Sequence, residues 1–467
     1  MSELNSRILN TLEYEQVKQM MMPYLVTAQG QEELAALKPV ADEKVIRQWL
    51  DETLDALKVQ RLRGGIPIPK IENIRPHMKR IEIGADLNGH ELAQVTRVLT
   101  TTSEVNRFID DLVEGELEFV RLYDWAKQLT HLPELTRRLK IAIDEDGRVT
   151  DDASDALRQI RSQIRRSEQS IRETLDGLIR GNQARYLSDA IVTMRNERYV
   201  IPVKHEYRSM FGGVVHDQSA SGQTLFIEPK QIVELNNRLR QHQIAEKNEI
   251  TRILSELSAA LVPARKEIIH NAFVIGKFDF MNAKARFAKA IKGVVPAINA
   301  QNYVVFKQAR HPLIAMEKVV ANDIVIGKDY QAIVITGPNT GGKTITLKTL
   351  GLLQLMGQSG LPLPVAQESQ MGIFKEVFAD IGDEQSIEQN LSTFSSHMTN
   401  IVNILSKADE NSLVLFDELG AGTDPQEGAA LAIAILDEMG ARSTYVMATT
   451  HYPELKVYGY NRPGTIN

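Results

Sequence analysis

An apolar run at residues 332–335 leads into Gly337-Pro338-Asn339-Thr340-Gly341-Gly342-Lys343-Thr344, and a helical pattern follows from Ile345 to Met356. This order of glycines, lysine and threonine between a strand and a helix is typical of a phosphate-binding loop. Backbone N–H groups and the helix N-terminus bind phosphate oxygens in such loops. Lys343 is expected to reach the β- and γ-phosphates, and Thr344 to offer its hydroxyl to Mg²⁺. The stretch predicts an α/β domain that binds ATP.

A second apolar run, residues 413–416, ends in Asp417 and Glu418. Fully apolar strands that alternate with helices favour a parallel sheet covered on both faces. Ligands bind at the carboxyl ends of such strands, so both carboxylates are expected beside the phosphate loop. Asp417 is predicted to hold Mg²⁺, and Glu418 to polarise the attacking water.

A third apolar run, residues 445–448, is followed by Thr449, Thr450 and His451. A single histidine is commonly structural or a surface residue. Beside the strand that ends in Asp417 and Glu418, however, His451 is placed to contact the γ-phosphate and to respond to the state of the nucleotide.

A polar stretch at residues 390–398 lies between the phosphate loop and Asp417. It reads Asn390-Leu391-Ser392-Thr393-Phe394-Ser395-Ser396-His397-Met398. Its hydroxyl and amide groups precede a helical pattern and predict an N-cap. The same groups leave N–H donors free for phosphate, so a plain cap and a part of the phosphate site both stay open.

The sequence upstream predicts an α+β multidomain protein. Residues 1–150 have the helical spacing of a helical core, and from residue 301 to 467 the strand–helix alternation begins. Between them, residues 151–190 and 230–300 predict two coiled-coil-like lever arms, the second returning to the core. Residues 191–229 predict a β-rich clamp tip, with strands at 191–193, 199–201 and 224–227. A strand-rich tip on two helical arms is suited to reach around a partner.

The first arm combines a heptad pattern with a local positive charge. Its apolar residues alternate by three and four positions at Leu157, Ile160, Ile164, Ile171 and Leu178, with Ser167 and Thr174 in two further positions of the seam. Seven arginines and three acids lie between Arg158 and Arg185, a difference of +4. These arginines could follow a phosphate backbone, or they could lie on a solvent-exposed face of the coiled coil without a ligand.

Composition narrows the classes of function. The chain has 467 residues, a net charge of −6 and no cysteine. Disulfides, thiol catalysis and cysteine-ligated metals are therefore excluded, and polyanion binding has to come from a local patch. The N-terminus lacks the pattern of a signal peptide, and no apolar run reaches the length of a membrane-spanning helix. We expect a cytoplasmic protein without a membrane partner.

Four motifs together resemble the MutS ATPases. They are Asn339 to Gly342, Ser392 to Ser395, Asp417-Glu418 with Gly420 to Thr423, and Thr450-His451. The form of residues 417–425 is typical of the second bacterial branch of that family, whose members are called endonucleases. Residues 309–313 and 219–229 also look like that branch.

The resemblance implies an ABC-like P-loop ATPase domain that works as a homodimer. It places Glu418, Lys343, His451 and Asn339 in catalysis, residues 337–344 and Asp417 on ATP, and Thr344 and Asp417 on Mg²⁺. Ser392 would come from the other subunit. ATP binding would close the clamp, and hydrolysis would release it.

Two departures from mismatch-repair MutS proteins are expected. The domain with the mismatch-wedging Phe-x-Glu is missing at the N-terminus, and Phe226-Ile227-Glu228 is interpreted as a strand of the tip. The chain also stops soon after His451, so we expect a product truncated before the Smr-type nuclease domain of the family.

The family implies two targets that the residues do not separate. One is branched or recombining DNA, with suppression of homologous recombination. The other is the ribosomal RNA of stalled, collided ribosomes, which are split for rescue. The alternative is an ABC-type ATPase subunit of a transporter or a chromosome-structure complex. That class is disfavoured by the absence of Gly-Gly-Gln after Leu391-Ser392 and by the long arms.

Overall fold

A computed structural model describes residues 3–299, 301–337, 342–382 and 392–466, without the side chains of residues 3–6, 392 and 393. The described helices are α1 Glu3–Thr11, α2 Tyr14–Met21, α3 Ala28–Ala36, α4 Glu43–Arg63, α5 Arg75–Glu82, α6 Gly89–Glu114, α7 Leu122–Ala126, α8 Pro133–Ala142, α9 Asp155–Arg180, α10 Arg208–Phe211, α11 Lys230–Leu261, α12 Arg265–Ile291, α13 Lys343–Gly357, α14 Ser392–Lys407, α15 Pro425–Ala441 and α16 Pro453–Asn461. The strands are β1 Thr193–Arg195, β2 Arg198–Lys204, β3 Val214–Gln218, β4 Thr224–Glu228, β5 Ala297–Ile298, β6 Val304–Ala309, β7 Asn322–Ile326, β8 Ala332–Thr336, β9 Gln370–Met371, β10 Glu376–Asp380, β11 Ser412–Phe416, β12 Tyr445–Thr450 and β13 Thr465–Ile466. The protein is thus α+β, with long helices and several sheets.

Contacts between residues divide the chain into two compact units. The first unit comprises Met1–Asn73, Thr101–Thr130 and His270–Asn467, and the second comprises Ile74–Thr100 and His131–Ile269. Both units are assembled from separated segments of the chain. The division into core, arms, tip and ATPase domain along consecutive segments stays a prediction.

A five-stranded parallel sheet forms the centre of the first unit. Its strand order is β10-β11-β12-β8-β13, and each neighbouring pair is parallel. Every residue of β11 and β12 is buried, which agrees with their uninterrupted apolar sequences. The parallel arrangement that the sequence predicted is therefore confirmed. A smaller sheet in the same unit has the order β5-β9-β6-β7.

Helix α13 lies between this sheet and the N-terminal helices. A Cβ atom on Gly351 would lie 2.5 Å from a methyl group of Leu415 in β11 and 2.9 Å from Leu12, so this position has no room for a larger side chain. At the end of the helix, the buried hydroxyl of Tyr14 donates to Ser359 Oγ at 2.7 Å. The N-terminal helices and the parallel sheet thereby share one apolar core.

Helices α9 and α11 of the second unit pack side by side. Ser154 caps α9 by accepting from the N–H of Leu157, and Leu157 and Ile171 are fully buried as predicted. Leu175 is buried where the heptad pattern placed Thr174. A straight helix has 3.6 residues per turn, so its buried face moves away from a strict 3.5-residue repeat. The predicted seam position of Thr174 was therefore wrong.

Part of the positive charge of α9 is neutralised within the same unit. Arg158, Arg161 and Arg165 form ion pairs with acids that lie outside the counted window. These acids are Asp151, Asp152, Asp155 and Glu246. The count of +4 therefore overstates the charge available to a polyanion, which favours the solvated-face interpretation for this end of the helix.

The residues between the two helices form an antiparallel sheet of order β1-β2-β4-β3. The strand character of this segment is as predicted, although β1 begins at Thr193 and β3 was not among the predicted strands. Phe226-Ile227-Glu228 lies in β4, as the sequence indicated. Glu228 is 1% exposed and accepts hydrogen bonds from Arg198 at 2.9 Å and from Asn236 at 2.8 Å. Its role in this sheet is structural.

No helix among the described residues has the length and apolarity needed to cross a membrane.

Candidate active site

Four parallel strands bring the predicted site residues to one edge of the sheet. The pairing places Asp380 opposite Phe416, Phe416 opposite Ala448, and Thr450 opposite Thr336. We call the region just beyond these strand ends the carboxyl edge. Residues that follow the strands in sequence, far apart along the chain, meet there, and this is where ligands bind in open α/β sheets.

Lys343 lies inward at the carboxyl edge and is 5% exposed. Its Nζ atom donates to the carbonyl oxygen of Gly337 at 2.5 Å and to that of Thr450 at 3.2 Å, and lies 3.4 Å from Nδ1 of His451. Gly342, which precedes the helix, has φ 79° and ψ 19°, a left-handed conformation that favours glycine. The start of α13 is thus two residues earlier than predicted, at Lys343. Pro338, Asn339, Thr340 and Gly341 lie outside the described residues.

The side chains of Thr344 and Asp417 bring two oxygen atoms together at the carboxyl edge. Thr344 Oγ1 donates to Asp417 Oδ2 at 2.8 Å, so the two oxygens lie close enough to bind one ion. Mg²⁺ is usually bound by one or two protein oxygens together with waters and phosphate oxygens. Among the described residues no three histidine or acidic side chains converge as a metal site of their own. The Thr344–Asp417 pair fits Mg²⁺ that arrives with a nucleotide.

Glu418 directly follows Asp417 and has an unusual backbone conformation. Its φ is 50°, a left-handed value that is uncommon for residues other than glycine. Its N–H donates to Oγ1 of Thr449 at 2.8 Å, and Oε1 lies 3.3 Å from Nε2 of His451. Backbone strain of this kind is found at functional sites, where the surrounding contacts hold it in place. Here the contacts aim the Glu418 carboxylate toward His451.

Thr449 connects the two acidic residues. Its hydroxyl donates to Asp417 Oδ1 at 2.5 Å while it accepts the N–H of Glu418. The sequence placed Thr449 next to His451 but assigned it no role. The sequence did contain a signal for Thr449. A hydroxyl at the end of an apolar strand is expected to be buried, and a buried hydroxyl needs hydrogen-bond partners.

The turn after Glu418 packs tightly. Gly420 has φ 85°, and a Cβ atom there would lie 2.3 Å from the carbonyl oxygen of Gly428. The hydroxyl of Tyr452 donates to the carbonyl oxygen of Gly420 at 2.8 Å. The glycine thus permits the close approach of α15, and the tyrosine fixes the loop that carries Glu418.

The polar stretch 390–398 is described in part. Helix α14 begins at Ser392, but the Ser392 side chain and residues 390–391 lie outside the described part. The cap, the phosphate contact and the contribution of Ser392 to a second subunit all stay predictions. Further along α14, His397 Nδ1 lies 2.8 Å from Asp380 Oδ2. Sequence reasoning did not single out Asp380, although it ends an apolar strand at the same edge as Asp417.

Comparisons with known proteins identify relatives of this chain. Residues 333–464 match the family model described as MutS domain V. The chain is 75% identical over 464 residues to a protein named endonuclease MutS2 from Enterococcus faecalis. It is 61% identical over 464 residues to the protein of the same name from Latilactobacillus sakei, and 61% over 466 residues to that from Lactiplantibacillus plantarum. Each match covers 99% of this chain and 59% of the relative, so the chain spans about three fifths of the length of these relatives.

Proposed function

Because the chain belongs to the MutS2 branch of the MutS family, we propose that it binds ATP with Mg²⁺ and hydrolyses it at the carboxyl edge. The observation that carries this proposal is the arrangement of four side chains. The oxygen atoms of Thr344 and Asp417 lie 2.8 Å apart, which suits two ligands of one Mg²⁺, and Glu418 lies beside His451 on the neighbouring strand end. Each has the chemical type and the place that an ATP-hydrolysing site needs.

The reaction is a transfer of the γ-phosphoryl group to water. Lys343 binds the β- and γ-phosphates and offsets their negative charge. Thr344 and Asp417 would hold Mg²⁺, which would supply electrostatic stabilisation of the charge that develops on the phosphate oxygens. Glu418 orients the attacking water and accepts its proton. His451 contacts both Glu418 and Lys343. It can therefore link the position of Glu418, the base, to the presence of the γ-phosphate that Lys343 binds.

The family resemblance extends this site to a homodimer. Asn339 would belong to the catalytic group, residues 337–344 would surround the triphosphate, and Ser392 would contact the nucleotide of the other subunit. The domain would then be an ABC-like ATPase whose dimer closes with ATP and opens after hydrolysis. A change of nucleotide state shifts the clamp only if ATP binds the closed dimer more tightly than the open one.

The target of the clamp is a nucleic acid in this proposal. Branched or recombining DNA and the ribosomal RNA of collided ribosomes both present the dense phosphate charge that such a clamp can bind. The relatives are named endonucleases. We expect that activity in a part of those proteins that this chain does not span.

Glu418→Gln tests the hydrolytic role of the site. The amide keeps the size of the side chain but cannot accept the proton of water, so we expect ATP binding to persist and hydrolysis to fall by about a thousandfold. Dimers should accumulate with ATP. Glu410→Gln is the matched control, because Glu410 is exposed and precedes the same strand at its opposite end. Normal hydrolysis by Glu418→Gln would show that Glu418 is not the base.

The target is tested by the steady-state ATPase rate of the protein at one fixed salt concentration, since phosphate contacts depend strongly on salt. The rate is compared for the protein alone, with four-way-junction DNA and with collided disomes. Stimulation by disomes alone would support ribosome rescue and contradict the DNA target. Stimulation by junction DNA alone would support the recombination function and contradict the ribosome target.

A further inference from the structure

Asp380 connects the carboxyl edge to helix α14. It is the last residue of β10 and is 5% exposed. Its carbonyl oxygen accepts the N–H of Asp417 at 2.8 Å. Its carboxylate contacts His397 at 2.8 Å through Oδ2 and accepts from Asn400 at 2.8 Å through Oδ1. One buried residue thereby fixes α14 to the strand end that precedes the proposed base.

His397 uses one ring nitrogen for this contact. Its side chain is 32% exposed, so the ring is held at one side and reaches solvent at the other. The Nε2 atom lies close to Gly382, where a Cβ atom would be 3.4 Å from it. Gly382 lies two residues beyond the end of β10, so the Nε2 atom is on the side of the ring nearer the carboxyl edge.

The surroundings of His397 favour its protonated form. The hydrogen bond to Asp380 raises the pKa of His397, while burial opposes that rise. Of the more distant charges, Glu418 raises the pKa and Arg7 on α1 lowers it. Asp380 lies on β10, Glu418 follows β11, and Arg7 lies on α1. The geometric link from the ring to Glu418 runs through Asp380, whose carboxylate holds His397 and whose carbonyl oxygen accepts the N–H of Asp417, the residue before Glu418.

We propose that His397, held by Asp380, is a positioning residue for ATP hydrolysis that acts through Glu418. The inference rests on the ATPase function proposed above. A carboxylate next to a triphosphate is repelled by it. A cation held at the same strand end reduces that repulsion and lets the carboxylate stay where it can orient water. Asp380 holds the ring by its carboxylate and is joined to the backbone of Asp417 by its carbonyl oxygen.

Two substitutions of His397 separate charge from shape. In His397→Gln the charge is lost, and we expect kcat to fall about tenfold with KM changed by less than about twofold, since the ring does not bind the nucleotide itself. In His397→Lys a positive charge remains, and we expect at least about a third of kcat to be kept.

The pH dependence of kcat distinguishes a charged positioning residue from a structural one. With saturating MgATP, kcat of the unsubstituted protein should fall as the pH rises through the raised pKa of His397, because the ring loses its proton there. His397→Gln and His397→Lys should both lack this fall. Asp380→Asn removes the main cause of the raised pKa, so the fall should occur at lower pH. A titration of the His397 ring followed by NMR should show the same shift without any hydrolysis.

Asn400→Ala is the structural comparison. It removes the other hydrogen bond to the same carboxylate but no charge, so the pH at which kcat falls should stay unchanged. Equal losses in Asn400→Ala and His397→Gln with identical pH profiles would overturn the inference in favour of a purely structural contact. A His397→Gln protein with unchanged kcat would also overturn it while the ATPase function stands. If the unsubstituted protein hydrolysed no ATP, the proposed function would fall, and the role of His397 with it.

Discussion

A buried lysine in the first unit offers a sharp test of the packing. Lys284 on α12 is 1% exposed, and its Nζ lies 3.9 Å from Glu52 Oε2 and 3.4 Å from the carbonyl oxygen of Trp49. Glu52 also accepts a hydrogen bond from Trp125 Nε1 at 2.9 Å. We predict that replacing this ion pair by Lys284→Met with Glu52→Gln stabilises the unit or leaves it unchanged at neutral pH. The glutamine can still accept from Trp125, so no buried charge is left alone.

The size of the effect follows from the pKa of Lys284. Burial lowers this pKa from 10.5 to about 8, against the opposing charge of Glu52. Each pKa unit corresponds to about 1.4 kcal/mol, so the gap amounts to about 3 kcal/mol between the charged and neutral forms. Between pH 8 and 10.5 the unfolded chain binds more protons at this lysine than the folded protein does. The free energy of unfolding should therefore rise with pH across that window, and it should carry the full penalty below it.

Tryptophan fluorescence can follow this cluster directly. The chain has two tryptophans, Trp49 and Trp125, and both contact the Lys284–Glu52 pair. Urea unfolding measured at several pH values should show the rise in stability for the unsubstituted protein and not for the double variant. Lys289→Met, at an exposed position of the same helix, should keep the rise. If the double variant rose with pH as much as the unsubstituted protein, the rise would come from other groups, and the argument from burial would be refuted.

Three further substitutions test other contacts. Tyr14→Phe removes the buried hydrogen bond to Ser359 and should lower the free energy of unfolding of the first unit by about 1 kcal/mol, measured by urea unfolding. Glu228→Gln removes the charge that pairs with Arg198 and His216 and should destabilise the β1–β4 sheet by about 3 kcal/mol, measured by hydrogen exchange of β2 and β4. The exposed Glu234→Gln should have no such effect. Thr449→Val removes the hydroxyl between Asp417 and Glu418 and should lower kcat for ATP about tenfold or more, whereas Thr449→Ser should stay near the original rate. Full activity of Thr449→Val would mean that the hydroxyl does not orient the two acids.

The parts of the fold that the sequence predicted are those set by local patterns. The uninterrupted apolar runs at 332–335, 413–416 and 445–448 lie in strands β8, β11 and β12. The long apolar and polar periodicity at 230–259 corresponds to α11. In such segments burial of one continuous face is enough to decide the structure. The strand β3, with the sequence Val214-Val215-His216-Asp217-Gln218, has no such pattern and owes its strand form to pairing with β4.

In the candidate site, too, the sequence predicted the residues that belong to local patterns and missed those that depend on strand order. The motif residues are Lys343, Thr344, Asp417, Glu418 and His451. Their motifs directly follow apolar runs, so the expectation that parallel strands end at one edge was enough to bring them together. Asp380 and Thr449 belong to no motif. Their contacts depend on which strand lies next to which, and the strand order is not encoded in any short stretch. The N-terminal helices pack on α13 for the same reason: the space above Gly351 accepts Leu12, a match between residues that are more than three hundred positions apart.

Three acids described at the carboxyl edge, Asp380, Asp417 and Glu418, differ in the side chains that contact their carboxylates. Asp380 contacts His397, and Glu418 contacts His451. Asp417 differs, because its carboxylate is bound by two neutral hydroxyls, those of Thr344 and Thr449. Among the described residues, no basic side chain forms an ion pair with Asp417. A carboxylate whose protein partners are hydroxyls has no internal cation to displace, which suits it to a divalent ion brought by the nucleotide. Under the proposed function, the surroundings of Asp417 thus support it as the Mg²⁺ ligand in addition to its motif, and the two acids with histidine partners are left for proton transfer and positioning.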